Sequence, residues 1–291
     1  MSARFPTVRR IRLKSNLGYA GGCNLAARKS ACDVIVFLNQ DMRLDRDWLA
    51  GLMRPLESDA DVVASQSLVM LYDEPALVNT SATTVNFLGI GWVSDYRKPV
   101  AEVRSRKIGF LSGAAFAIRR EAFLALGGFD DGYGSYHEDV DLSWRLLLTR
   151  QPMVLASDSR AYHKYRFTGP GSKNYSLERN RLATLLKNYR GRSLLLILPA
   201  LIVTEIGVCL LALSQGWLGY KLASYRDLLR MREQIGDGRR LAQRIRQAPD
   251  REIAKELAGG IHFEEANQGL VRLGSALLAG YWRIARRLIA W

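Results

Sequence analysis

Cysteine is scarce in this chain: Cys23, Cys32 and Cys209 are all that 291 residues contain, with no Cys-x-x-Cys pair and no Cys/His cluster. That argues against a disulfide framework or a zinc site and suits a reducing compartment. Negative charge is in deficit too. Against 42 Lys and Arg stand 28 Asp and Glu, a net +14, so the partners to expect are polyanionic: nucleic acid, anionic lipid headgroups or diphosphates. No aromatic platform or recognition motif accompanies the basic residues, which speaks against nucleic acid. The opening stretch "MSARFPTVRRIRLKSN" has no apolar run and does not resemble a secretory signal. There is no internal repeat and no low-complexity tract. What the chain does have is 48% hydrophobic residues, enough for a substantial core.

Three textures follow one another. Up to about residue 190 strands alternate with helices. "TVRRIRL" alternates like a half-buried strand, and "AGGCNLAARKSA" reads as a helix with Asn24 and Arg28 on one face. "DVIVFLN" is a β-branched run of the kind buried in a parallel sheet, "DWLAGLMRPLES" a helix on Trp48, Leu49, Leu52 and Leu56, and "DVVASQSLVM" a further strand. This pattern predicts an α/β fold with ligand chemistry at the carboxyl ends of the strands. Residues 191–220 contain "LLLILPALIVTEIGVCLLAL", close to the ~20 residues that cross a bilayer, though Pro199, Thr204 and Glu205 interrupt it. It reads as a span, a hairpin or an interfacial helix, or else as a buried helix of a soluble domain. Residues 221–291 form a basic helical tail ending in "LVRLGSALLAGYWRIARRLIAW". There Leu270, Leu273, Leu277, Tyr281, Ile284 and Leu288 make one stripe, with Arg283, Arg286 and Arg287 largely off it. Such a helix suits an anionic membrane surface or packing onto the domain.

Three stretches carry candidate chemistry. "VIVFLNQDMRL" ends a strand in Asn39-Gln40-Asp41, and a carboxylate on a rigid strand end can bind a divalent cation that bridges phosphates; Asn and Asp there are also ordinary turn formers. "IGFLSGAAFAIRREAFLALGGFDDGYGSYHEDVDLSWR" runs from a loop into a strand, then a short helix ended by Gly127-Gly128, then the acidic knot Glu138, Asp139 and Asp141. Acidic residues complement a helix N-terminus, and Asp141 and Arg145 have ion-pair spacing. Three crowded carboxylates nonetheless raise one another's pKa, a trait of functional sites. In "MVLASDSRAYHKYRFTGPGSKN", His163 ends a strand before a loop with Gly169, Pro170, Gly171 and Ser172, where an imidazole can complete a metal shell. Lys164, Arg166 and Lys173 can neutralise a diphosphate, and Arg179-Asn180 then opens a helix.

In this order "NLGYAGGCNLAAR", "FLNQD", "FLSGAAFAIRREAFLALGGFDDGY", "HEDVDLSWR", "YHKYRFTGPGS" and "ERNR" resemble the bacterial family 2 glycosyltransferases, specifically the rhamnosyltransferase-like branch that builds cell-surface polysaccharide. The resemblance covers residues 11–189. It implies a GT-A fold, Rossmann-like with a mostly parallel sheet, as a partial domain over residues 1–190, followed by a membrane-associated helical region. It also implies inverting transfer of a sugar from a nucleotide-diphosphate donor to a lipid-linked saccharide, at the cytoplasmic face of the bacterial plasma membrane.

Matched position by position, Asn39-Gln40-Asp41 takes the place of the Asp-x-Asp motif, with Asp41 and His163 as ligands of Mg²⁺ or Mn²⁺ and Asn39 near the donor diphosphate. Asp139 becomes the base and Glu138 its neighbour on the acceptor side, while Ser112, Gly113 and Ala114 form the loop at the diphosphate and acceptor. One departure is large: the chain opens at what corresponds to the family's third strand, so the resemblance implies that the base- and ribose-binding strands are missing. The alternative reading is therefore a non-catalytic remnant that serves as a membrane-bound scaffold. Oligomeric state is not legible.

Overall fold

The computed structural model describes residues 7–164, 171–262 and 268–291. Helix α1 (Gly18–Lys29) leads into strand β1 (Val34–Leu38), short β2 (Met42–Leu44), helix α2 (Trp48–Ser58) and β3 (Ala64–Leu71). The short strands β4 (Val78–Thr80), β5 (Thr83–Val85), β6 (Gly91–Val93) and β7 (Arg106–Ile108) follow, then β8 (Ala115–Arg119), α3 (Arg120–Ala125), α4 (Glu138–Leu148) and the long β9 (Met153–His163).

The α/β architecture is as expected, but the main sheet is mixed rather than mostly parallel, in the order β1-β8-β3-β9-β2, with β4 on β3 and β7 on β9, and β3–β9 is its parallel pairing among the described residues. Strands β3 and β9 pair in parallel, whereas β8 runs antiparallel between β1 and β3. Strands β1, β3 and β9 therefore point the same way, and the ends of β1 and β9 deliver Asp41 and His163 to one rim.

Three local readings change. "TVRRIRL" is not a strand: residues 9–13 are irregular, and Val8, Ile11 and Leu13 are exposed, so its alternation meets no sheet among the described residues. Strand β1 is not interior either. It lies at the sheet's edge, paired only with β8, and Val34, Ile35 and Val36 stay half-buried. In α2, Trp48, Leu52 and Leu56 are buried while Leu49 faces solvent, because Leu49 lies on the side of the helix turned from the sheet.

Helix α5 (Ser172–Asn188) starts directly after Gly171. Arg179 and Asn180 thus lie inside it rather than opening a helix. Helices α6 (Gly191–Ser214), α7 (Leu218–Arg230), α8 (Arg232–Ile245), α9 (Asp250–Glu256) and α10 (Gln268–Leu288) complete the chain. The tail shares a core with the sheet domain: Trp282 stacks on Phe87 at 4.7 Å between centroids, and Trp144 meets Tyr189 edge-on at 4.9 Å.

Helix α6 is long and apolar enough to cross a membrane, with a mean hydropathy of 2.6, and only 11% of its apolar window is buried. One face carries Leu195, Leu198, Ile202, Ile206, Leu210 and Leu213, all exposed. The other is held to the protein at its start, its middle and its end. At the start, Ser193 Oγ donates to Asp250 Oδ2 at 2.5 Å. Midway, Glu205 accepts from Lys221 Nζ at 2.7 Å and Tyr225 Oη at 2.6 Å and pairs with Arg181. At the end, Ala212 is buried, as is Trp217 just beyond the helix. The apolar stripe expected on α10 is exposed at Leu273, Leu277, Ile284 and Leu288, whereas Trp282, Ala285 and Ile289 pack inward. The helix thus packs on the domain with one face, to which the stripe residue Tyr281 also turns by donating to the Leu196 carbonyl, and leaves these four stripe residues outside.

Candidate active site

Above the sheet rim lies a cleft of about 980 Å³. Its walls gather Asn39, Asp41, Ser112, Gly113, Ala114, Glu138, Asp139 and His163, brought from four separate parts of the chain.

Antiparallel pairing of Met42 with His163 sets Asp41 beside the end of β9. There His163 Nε2 stands 3.2 Å from Asp41 Oδ2, and Nδ1 lies 3.1 Å from Asn79 Oδ1 on β4. In the tautomer with the proton on Nδ1, donated to Asn79, the Nε2 lone pair faces the carboxylate, and a carboxylate with an imidazole in that arrangement suits a small divalent ion. No group of three or more acidic, His or Cys side chains converges among the described residues. Among the described residues Asp41 and His163 are thus the side chains here that could hold such an ion, and a diphosphate and water would have to complete its shell, as is usual for Mg²⁺-type sites.

Asp139 occupies the first turn of α4. Its Oδ2 accepts from Gly113 N–H at 2.7 Å and its Oδ1 from Val140 N–H at 2.8 Å. A Cβ on Gly113 would stand 3.3 Å from that Oδ2, so glycine admits the close approach. The rest of the loop is equally fixed: Leu111 N–H donates to Ser143 Oγ and Ser112 N–H to Gln66 Oε1, while Ala114 C=O accepts from Asn39 N–H. Burial raises the Asp139 pKa, opposed by the Gly113 N–H and by nearby His137. Glu138 goes further: burial and the Asp139 charge push it up to about 8, and its Oε2 finds no hydrogen-bond partner among the described residues. The pair is therefore a proton-holding carboxyl beside a second carboxyl restrained by two N–H donors.

The third carboxylate is structural. Asp141 is fully buried, bonded through Oδ2 to Arg145 at 2.8 Å, with Lys187 at 3.0 Å and Asn188 at 2.9 Å on Oδ1. Burial alone would raise its pKa, but the charges of Lys187 and Arg145 outweigh burial and hold it far below the carboxylate range.

His137, for which the sequence suggested no role, places Nε2 2.9 Å from the Gly89 carbonyl and Nδ1 3.2 Å from Thr184 Oγ1, and burial lowers its pKa. It sits at φ 71° directly after Tyr136 at φ 70°. Two consecutive left-handed non-glycine residues cost strain, which the surroundings must impose. Asn180 does this: its amide donates to the carbonyls of Tyr133, Ser135 and Tyr136, and Arg179 donates to those of Gly132 and Tyr133. On the other side, Asn24 brackets Phe129 with bonds to its N–H and C=O. Arg28, expected on the same face, is exposed.

The proposed basic residues separate. Lys164 lies outside the cleft lining with its ammonium 4.7 Å from the Tyr72 ring. Lys173 stands 5.7 Å from the ring of Tyr136, itself a lining residue. Arg166, Gly169 and Pro170 lie outside the described residues, as does the side chain of Leu270. Tyr19, Asn79, Thr83, Trp92 and Tyr136 also line the cleft and escaped the sequence reading. The alternating "TTVNFLGIGWV" of the β5–β6 hairpin was the available signal.

Residues 2–127 match the family described as Glycosyl transferase family 2. An N-acetylglucosaminyl-diphospho-decaprenol L-rhamnosyltransferase of Mycobacterium tuberculosis is 32% identical over 171 residues, which cover 49% of this chain and 54% of that protein. An N-acetylgalactosaminyltransferase 6 of Drosophila melanogaster is 25% identical over 65% of this chain and 29% of its own length. The chain thus spans about half the length of the first relative and under a third of the second. Among solved structures, GalNAc-T7 with UDP, GalNAc and Mn²⁺ matches with a TM-score of 0.50 at 16% identity, over 62% of this chain and 36% of that one, a likeness of fold. The Asn39–Asp41 turn and the 111–114 loop fall within residues 2–127, the part of the chain that matches glycosyl transferase family 2, and the mixed α/β sheet that carries them has the fold of a GT-A scaffold.

Proposed function

We propose that this chain transfers a sugar, with inversion, from a nucleotide-diphosphate donor to a lipid-linked saccharide in cell-surface polysaccharide synthesis. The observation that carries the reading is the placement of Asp139 and the Asp41–His163 pair in one cleft. Asp139 takes the proton of an acceptor hydroxyl as that oxygen forms its bond to the anomeric carbon. The bond from that carbon to the diphosphate breaks, and the electron pair leaves with the nucleoside diphosphate. Asp41 and His163 would hold Mg²⁺ or Mn²⁺, which neutralises charge on the leaving diphosphate when bound. Glu138, pushed up to about 8 by burial and the Asp139 charge, favours its protonated form and so limits the negative charge beside the acceptor. The M. tuberculosis relative's name, with its diphospho-decaprenol acceptor, supports the lipid-linked substrate class.

A screen of nucleotide-sugar donors, scored for metal-dependent release of nucleoside diphosphate, tests this. Loss of an outer-shell residue at such sites already costs 10–100-fold, so Asp41→Ala should lower release about 100-fold or more and erase its metal dependence. Absence of release with every donor would favour the scaffold reading, and an Asp41→Ala protein still stimulated by Mn²⁺ would move the metal elsewhere.

The same reading places the protein at the cytoplasmic face of the bacterial plasma membrane, with α6 lying in the interface rather than crossing it. Helix α6 is about 36 Å long; it is tied at Ser193 and at Glu205 to ionised side chains of the domain, and it buries Ala212 near its end. A spanning α6 would drag Arg181, Glu178 and Lys221 into hydrocarbon. In a background without the native cysteines, Arg192→Cys and Gln215→Cys, both at exposed positions, should react with an impermeant thiol reagent from one and the same side of sealed vesicles. Labelling from opposite sides would establish a span.

A further inference from the structure

A second cavity, of about 750 Å³, lies between α6, α10 and α5. Its volume falls in the range of sites that enclose whole small ligands, ~300–1,000 Å³. Val203, Gly207 and Leu211 of α6 face Gly274, Leu277 and Leu278 of α10 across it. The two ionised side chains on its wall are already paired: Arg181 Nη2 binds Glu178 Oε2 at 2.8 Å and Glu205, and Lys221 pairs with both glutamates. A ligand entering between the helices therefore meets mainly hydrocarbon.

Two features identify the occupant. First, the cavity opens between the helix of membrane-type hydropathy and the amphipathic tail helix, whose outward faces are apolar at Leu195, Ile202 and Ile206 and at Leu273, Ile284 and Leu288. Its lining residues Val203, Leu211 and Leu277 are themselves exposed, so the cavity is open beside those apolar faces. Second, Gly91, His137 and Leu177 line both this cavity and the catalytic cleft. His137 immediately precedes Glu138 and Asp139, so the apolar channel ends where the acceptor hydroxyl must be presented. A protein-binding groove would have no reason to share these residues with the cleft.

We propose that this channel seats the apolar polyprenyl-type chain of the acceptor lipid and threads its sugar-bearing end past His137 to Asp139. The proposal rests on the lipid-linked acceptor reading above. It adds the site, the route and a reason for the tail: α10 is one wall of a substrate channel. A single unbranched or isoprenoid chain matches a channel between two helices, whereas a two-chain bilayer phospholipid does not.

The test is photolabelling of the full chain in vesicles, with no sugar donor present, so that its result does not depend on turnover. Two probes are compared: a diazirine-bearing farnesyl phosphate and a diazirine-bearing phosphatidylglycerol. Farnesyl phosphate should label peptides holding Val203–Leu211 and Gly274–Leu278, and unlabelled farnesyl phosphate should compete this away. A Cβ built on Gly207 or Gly274 meets no atom within 4 Å, so Gly207→Phe and Gly274→Phe fill the channel without an immediate clash. Each should reduce that labelling at least tenfold while vesicle sedimentation stays unchanged. Labelling unaffected by both substitutions overturns the proposal. So does equal labelling of the channel peptides by the phospholipid probe that farnesyl phosphate fails to displace. Donor-dependent release of nucleoside diphosphate, measured separately, reports on the transfer reading alone.

Discussion

Replacing Asp139 with Asn should reduce sugar transfer by about 10²–10⁴-fold, the usual contribution of a positioned general base, while donor binding and folding persist. The geometry predicts this separation. An asparagine carbonyl can still accept from Gly113 N–H or from Val140 N–H, the two bonds that now hold the carboxylate at 2.7 and 2.8 Å. The loop that lines the cleft therefore keeps its anchor, and what disappears is the ability to take a proton. Since burial already disfavours the charged form of Asp139, the neutral amide should melt at or above the native temperature. Turnover and donor affinity of the two proteins, measured side by side, check the assignment. Native-like turnover in Asp139→Asn would remove this residue from the chemistry and leave Glu138 as the remaining carboxyl in the cleft.

Asp141→Ala should show the opposite profile, a stability defect of about 3–5 kcal/mol, as when one partner of a buried ion pair is removed. Arg145 and Lys187 are both buried, and without Asp141 their charges lose the anion between them. Arg145 keeps the carbonyls of Leu126 and Gly128, and Lys187 keeps Asp130 at 2.6 Å; those dipoles and that second pair limit the loss. The pH dependence follows from the depressed carboxyl. Its folded value lies below the unfolded value of about 3.9, so the unfolded state binds the proton first on acidification. The contribution is full above about pH 4 and is lost as pH falls below it. Urea melts at pH 7 should therefore separate native and Asp141→Ala proteins widely, and melts near pH 3 should draw them together. A gap that stays constant across this range would mean that packing rather than charge holds the site.

The contrast between these two carboxylates shows what the sequence could and could not tell. Asp139 and Asp141 are two positions apart, and spacing alone offered only the Asp141–Arg145 pair, which the structure contains. The strand end at Asp41 and the strand-closing His163 were legible because local patterns mark where a strand stops. Their approach to 3.2 Å was not, since it depends on an antiparallel pairing between segments far apart in the chain. The same limit hid the role of Asn180. Its side chain serves three carbonyls of a loop remote in sequence, and nothing local distinguishes it from a helix-opening residue. The stripe on α10 was read correctly as a stripe, but which face packs was decided by Trp282, whose partner Phe87 lies in a segment with little regular structure.

That stack of Phe87 on Trp282 also has a temporal consequence. Phe87, Trp144 and Tyr189 belong to one core with a residue near the chain's end. At ribosomal rates of about 5–20 residues per second, roughly 10–40 s separate the synthesis of the two stacked rings. Through that interval the nascent catalytic half presents uncovered aromatic surface, with the apolar α6 segment emerging before the ring that closes the core. Docking of α10 is thus the step that covers this aromatic surface.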